Sequence, residues 1–195
     1  MAQQCSADLL GMYLFLASEI MLFGGLFVVL VVLRVLHPQD VIATSKEFHY
    51  WIGALNTAIL LTSSFFVAVA VNAVKGGTGK GAAISFIAAA LLGVGFLGMK
   101  VTEYMLEYRE GTLPFFGDLH AVVEPAARLF LNLYLIATFL HAAHVAIGIG
   151  LLSIAAVYAH SSNPRRRTPV EILGLYWHFV DIVWIFLYPL LYLAR

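Results

Sequence analysis

The side chains of this sequence that could do chemistry are few, and they lie inside long apolar segments. His141 and His144 are three residues apart, as are His178 and Asp181, so each pair lies on one face of a helix. Histidines with a carboxylate could bind a metal ion, and a single histidine could ligate a haem iron. The other interpretation is hydrogen bonding between helices. The sequence favours hydrogen bonding because no second close pair of histidines is present and the one cysteine cannot complete a ligand set.

Glu19 is an acidic residue inside the first apolar segment. A carboxylate is costly in lipid, so Glu19 is expected to be protonated there. One interpretation is a carboxyl group that takes part in proton movement and reacts with carbodiimides. The other is a neutral acid that hydrogen-bonds a neighbouring helix. The residue by itself leaves both interpretations open.

Other polar residues lie on the second and third apolar segments. Asn56 and Ser63 are seven residues apart, which places them on one helix face and indicates packing between helices. Glu103 follows Lys100 by three residues near the end of the third segment. The two could form a local ion pair close to the membrane surface. Glu107 is expected to be one of the acidic loop residues on the outer side of the membrane.

Composition indicates which elements position these residues. The chain has 195 residues, of which 62% are hydrophobic and 11% charged, whereas a soluble domain has about 25% charged residues. Five apolar runs exceed the ~20 residues that cross a bilayer, and backbone groups in lipid must be satisfied within each run. The predicted helices cover about 10–33, 52–74, 83–106, 128–158 and 172–193. The expected fold is an all-α membrane protein, a bundle of five transmembrane helices forming one domain over residues 1–195.

The connections predict an orientation. A polar loop is expected from His37 to about Tyr50, and the longest loop runs from Arg109 to Pro125. Basic residues are nearly balanced between the two sides, but the cluster Arg165–Arg167 favours a cytoplasmic N-terminus and a periplasmic C-terminus. Aromatic residues near the predicted helix ends are typical of belts at the membrane surface: Tyr50, Trp51, Tyr104, Tyr108, Trp177, Tyr188 and Tyr192.

Several functional classes receive no support from the sequence. It contains no glycine-rich phosphate loop, nucleophile elbow or two-metal carboxylate set. The formal net charge is zero, with 11 basic and 11 acidic residues, so nothing indicates nucleic-acid binding. A chain with short loops and no redox ligands is expected to be a partner in a larger complex.

The last apolar segment closely resembles subunit III of cytochrome c oxidases and related quinol oxidases. The resemblance lies in the run YWHFVDIVWIFLY, from Tyr176 to Tyr188. Four more segments resemble the same family in the same order: GMYLFLASEIMLF around Glu19, LNTAILL around Asn56, the pair Glu103-Tyr104, and ATFLHAAHV with His141 and His144. This chain begins where the third helix of seven-helix members would begin, so it resembles helices three to seven and the five-helix bacterial form.

The resemblance implies a non-catalytic, metal-free subunit of a proton-translocating haem–copper oxidase that reduces oxygen to water in the bacterial inner membrane. Haem and copper are expected in partner subunits. The expected partners are subunit I by direct contact, subunit II, a small subunit IV and membrane lipids, including a bound phospholipid. Glu19 corresponds to the family's carbodiimide-sensitive glutamate. Polar contacts between helices are expected from Asn56, Glu103, His141, His144, His178 and Asp181. The alternative is the subunit III-like accessory protein of nitric oxide reductases, which shares this fold and these motifs.

Overall fold

The computed structural model describes residues 2–47, 50–109, 125–159 and 167–192. These residues form six α-helices: α1 (Ala2–Leu36), α2 (Pro38–Glu47), α3 (Tyr50–Lys75), α4 (Gly79–Arg109), α5 (Pro125–Ala159) and α6 (Arg167–Tyr192). All of these except α2 are long and apolar enough to cross a membrane, which confirms the prediction of five transmembrane helices. Each extends at one or both ends beyond its predicted apolar run, because hydropathy marks the lipid-embedded part and helical hydrogen bonding continues past it.

The segment predicted as a loop from His37 to about Tyr50 is largely helical, and that prediction is wrong for α2. Pro38 is well suited to the first position of a helix, and Asp40 in the first turn complements the helix dipole. The side chain of Val41 is fully buried. Ser45 Oγ donates a hydrogen bond of 2.9 Å to the Leu191 carbonyl. Packing against α1, α5 and α6 therefore holds this polar segment as a helix.

α3 and α4 form an antiparallel hairpin around a tight turn. The N–H groups of Gly76 and Thr78 bond the carbonyls of Asn72 and Ala73, each at 2.9 Å. Gly77 has a φ of 79°, which a residue with a Cβ adopts only at a cost. The glycine-rich segment between α3 and α4 is thus a defined helix cap. Residues 110–124 of the predicted loop and residues 165–166 of the basic cluster fall outside the described residues.

α6 is the central helix of the bundle and α1 a peripheral one. In the most apolar 18-residue stretch of α6, 61% is buried inside the bundle, whereas in that of α1 only 17% is buried. α6 packs against α1, α3 and α5. Trp177 of α6 is fully buried, so its predicted place in a surface belt is wrong. Its ring fills the space above Gly148 of α5 and Gly93 of α4, where glycine leaves room for the indole.

Candidate functional site: polar clusters within the bundle

Glu19 of α1 meets His144 of α5 inside the bundle. Glu19 Oε2 lies 3.2 Å from His144 Nε2, with side chains only 15% and 13% exposed. His144 Nδ1 is 2.8 Å from the Leu140 carbonyl, which can only accept, so Nδ1 bears a hydrogen. The two facing atoms approach favourably when one proton lies between them, on the carboxyl or on the imidazole. The contact has the distance of an ion pair, without the angles of an ordinary hydrogen bond.

A large groove borders this pair. Its volume is about 1320 Å³, and Glu19, His144 and Tyr176 line it together with apolar side chains of α1, α5 and α6. The groove runs towards Asp8 near the start of α1 and the glycine turn between α3 and α4. A hydrophobic molecule in the groove would therefore contact Glu19 directly.

A second cluster, here called the lysine cluster, joins α4 to α6. Lys100 Nζ donates to Glu103 Oε2 at 2.8 Å and to the Tyr192 hydroxyl at 2.5 Å. Tyr192 in turn donates to Glu103 Oε1 at 2.6 Å. The Lys100–Glu103 pair has the spacing noted in the sequence. The two side chains are only 4% and 0% exposed, so the bundle encloses the pair, and its position close to the membrane surface stays a prediction.

The lysine cluster also includes Tyr134 of α5 and Glu107 of α4. The Tyr134 hydroxyl lies 3.2 Å from the Tyr192 hydroxyl and 3.4 Å from both carboxyl oxygens of Glu107. Glu107 is fully buried, so its assignment to the loop acids is wrong, as is that of Tyr192 to a surface belt. A spacing of three and four residues from Lys100 through Glu103 to Glu107 places all three on one helix face. That spacing was the available signal in the sequence.

Aromatic rings surround the ammonium of Lys100. Lys100 Nζ lies 4.8 Å from the ring centroid of Trp184, 5.0 Å from that of Tyr192, and 5.7 Å from those of Tyr104 and Tyr134. Cation–π attraction adds to the two hydrogen bonds. Removing an ion pair from water is costly unless further contacts compensate the charges, and this arrangement supplies them.

His141 and Asn56 have different surroundings. His141 packs against the rings of Phe96, at 5.6 Å, and Trp184, at 5.0 Å between centroids, and these two rings also contact each other. Among the described residues neither ring nitrogen of His141 and neither amide atom of Asn56 has a hydrogen-bond partner. Polar contacts were predicted for His141 and Asn56, but neither side chain makes a hydrogen bond within the described part of this chain. Phe96 and Trp184 offer His141 mainly apolar surface.

His178 and Asp181 of α6 lie beside Ser64 of α3. Ser64 Oγ is 2.5 Å from His178 Nδ1. Ser64 is also near enough to interact with the Asp181 carboxyl, although neither Asp181 oxygen makes a hydrogen bond of ordinary geometry within the described residues. Sequence reasoning missed Ser64 and pointed to its neighbour Ser63, which instead donates to the Ala89 carbonyl of α4 at 3.0 Å.

The two histidines of α5 do not act together. His144 faces Glu19, whereas His141 packs against Phe96 and Trp184. Across the ranges that the structure describes, no three histidine, cysteine or acidic side chains converge as the ligands of one ion. The interpretation as a metal centre therefore has no ligand set in those ranges, and a metal-free chain stays a prediction.

Comparison with known proteins relates the whole chain to one family. The family model described as Cytochrome c oxidase subunit III matches residues 6–194. Cytochrome c oxidase subunit 3 of Thermostichus vulcanus is 33% identical over 189 residues, which cover 94% of this chain and 86% of the relative.

Two quinol oxidase subunits are similar to the chain over the same extent. Quinol oxidase subunit 3 of Bacillus subtilis (strain 168) is 31% identical, covering 95% of this chain and 86% of the relative. Cytochrome bo(3) ubiquinol oxidase subunit 3 of Pseudomonas aeruginosa is 31% identical, covering 94% and 83%. These names favour an oxidase over the nitric oxide reductase alternative.

Proposed function

Because the chain belongs to the cytochrome c oxidase subunit III family, we propose that it is the accessory, metal-free subunit of a bacterial haem–copper oxidase, in direct contact with subunit I. In this proposal the complex reduces oxygen to water and moves protons across the cytoplasmic membrane. The haem and copper belong to partner subunits, with subunit II and a small subunit IV in the same complex. The N-terminus faces the cytoplasm, in keeping with the basic cluster at Arg165–Arg167.

The observation that supports an accessory role is the placement of the ionisable side chains in the bundle. Glu19 faces His144 across the α1–α5 interface, and Glu103 accepts from Tyr192 across the α4–α6 interface. Polar contacts of this kind fasten helices to one another in a membrane. The chain would thus give the catalytic subunit a rigid neighbour and support its proton uptake without chemistry of its own.

Purification of the assembled complex tests this proposal. The tagged chain is expressed together with its neighbouring genes and purified in mild detergent. We expect a haem-containing subunit I at a one-to-one ratio, seen in the visible absorption spectrum and by mass spectrometry. Recovery of the chain without any haem–copper subunit would contradict the proposal, and recovery with a nitric oxide reductase would favour the alternative.

For Glu19 we propose reactivity towards hydrophobic carbodiimides through the groove. A protonated carboxyl adds across a carbodiimide C=N bond, and the groove brings such a reagent to the Glu19 carboxyl, whose Oε2 lies 3.2 Å from His144 Nε2. We expect mass spectrometry of the labelled chain to find the adduct on Glu19 and to find none in the Glu19→Gln variant. Glu103 and Glu107 are matched controls because they are fully buried outside the groove. An adduct on either control with Glu19 unmodified would refute the prediction.

The same groove is the proposed site of a bound phospholipid. Its lining is mostly apolar and it opens along α1, α5 and α6, which suits acyl chains. Glu19 and His144, which both line the groove, would then lie against the lipid.

A further inference from the structure

His178 is a polar residue at the middle of the membrane on the outside of the bundle. It is the tenth residue of the 24-residue apolar span Pro169–Tyr192. At about 1.5 Å per residue it lies about 14 Å from one end of the span and about 21 Å from the other. An imidazole is too short to reach either membrane surface from that depth. Its polar atoms must therefore find partners at the level where they lie.

Only one ring nitrogen of His178 has a partner within the described part of the chain. Nδ1 meets Ser64 Oγ, and Nε2 makes no further hydrogen bond there. The residue is partly exposed, and Nε2 is not one of the buried atoms without a partner in the described residues, so it is not enclosed within the bundle. A polar group without a partner in hydrocarbon costs free energy, and lipid tails offer it nothing.

The residues around His178 form one outward face. Ile182 and Ile185 follow His178 at helical spacing on α6 and are 50% and 41% exposed. Leu61 and Phe65 flank Ser64 on α3 and are 49% and 64% exposed. We name these six residues the His178 face: His178, Ile182, Ile185, Leu61, Ser64 and Phe65. It is a mostly apolar surface, and near its centre His178 Nε2 has no hydrogen-bond partner among the described residues.

We propose that the His178 face is where a transmembrane helix of subunit I docks, presenting a hydroxyl or amide side chain to His178 Nε2. This inference rests on the proposed function, which supplies the partner. A hydroxyl or amide group both donates and accepts, so it suits Nε2 in either tautomer of the ring. The apolar side chains around it suit the rest of a lipid-soluble helix.

Photocrosslinking in the assembled complex tests the face. The photoreactive residue p-benzoylphenylalanine replaces Ile182 or Phe65 in the tagged chain, and Phe139 serves as the control because it is 73% exposed on α5. After illumination we expect mass spectrometry to identify an adduct with subunit I at positions 182 and 65, and none at 139. Crosslinks only to lipid, to another subunit or to a second copy of this chain would overturn the inference.

The result separates this inference from the proposed function. If subunit I co-purifies while positions 182 and 65 do not crosslink to it, the His178 face is wrong and the proposed function stands. If subunit I never co-purifies with the unmodified chain, both fail together.

Substitution of His178 adds a second readout. One interhelical hydrogen bond in a membrane changes an association equilibrium about threefold. We therefore expect His178→Phe to lower the fraction of chain retained on subunit I in detergent about threefold. His178→Gln, which keeps hydrogen-bonding atoms, should retain most of it. Equal retention of the two variants would show that Nε2 has no partner on subunit I.

Discussion

Replacing Lys100 with methionine is expected to lower the free energy of unfolding of the bundle by about 3–5 kcal/mol, the cost of leaving one member of a buried ion pair uncompensated. Glu103 would keep the hydrogen bond from Tyr192 but lose the ammonium 2.8 Å from its carboxyl. Methionine has a similar length, so the lost packing is small. The measurement is denaturant unfolding of the purified chain in micelles, followed by helical circular dichroism.

Two further variants make this prediction specific. Lys75→Met is the matched control, because Lys75 lies 3.0 Å from Glu171 in a pair that is 50% and 38% exposed. An exposed pair is worth only about 0–1 kcal/mol, so the control should be nearly neutral. Combining Lys100→Met with Glu103→Gln removes the uncompensated charge and should recover most of the stability. Equal losses in the Lys100 and Lys75 variants would rule out the burial argument.

The second large effect is expected at Gly148. A Cβ added there would lie 2.6 and 2.7 Å from ring atoms of Trp177, closer than van der Waals contact allows. Trp177 is fully buried, so its ring has little room to move. We expect Gly148→Ala to lower the free energy of unfolding by about 1–3 kcal/mol, as overpacking of a core does. Thermal unfolding of the chain in detergent measures it.

Gly150 provides the control on the same helix. Apart from the adjoining backbone of α5, no atom of the described residues lies within 4 Å of a Cβ built at Gly150, so Gly150→Ala meets open space there. Alanine is favoured over glycine inside a helix by about 0.5–1 kcal/mol, and the variant should be neutral or slightly more stable. If both alanine variants behave alike, the close approach of Trp177 to α5 does not limit stability.

The five spans were predictable because insertion into lipid depends on local composition, which the sequence displays directly. α2 was not predictable in that way. Its ten residues are polar on average, and its helix depends on contacts such as the one between Ser45 and the Leu191 carbonyl, 146 positions away in the chain. Hydropathy contains no information about such a contact.

The same distinction applies to the polar contacts, because those within one helix follow from the sequence and those between helices do not. Lys100 and Glu103 are near neighbours on one helix, so their pairing follows from spacing. The participation of Tyr192 depends on how α4 and α6 pack, which spacing does not determine. His141 and His144 are three residues apart and so lie on roughly the same helix face. At 3.6 residues per turn, however, their side chains still point in directions that differ by roughly 60°, which is enough to give them different surroundings. One meets aromatic rings and the other a carboxyl group.

The position of α2 has a consequence for biogenesis. α2 is made before four of the transmembrane helices, but the surfaces on which Val41 and Ser45 rest belong to α1, α5 and α6. While the ribosome is still translating the C-terminal half, the apolar side of α2 has only α1 to rest on. Final docking of α2 therefore waits until α6 has been translated, and truncation before Leu191 should leave α2 susceptible to proteases on its side of the membrane.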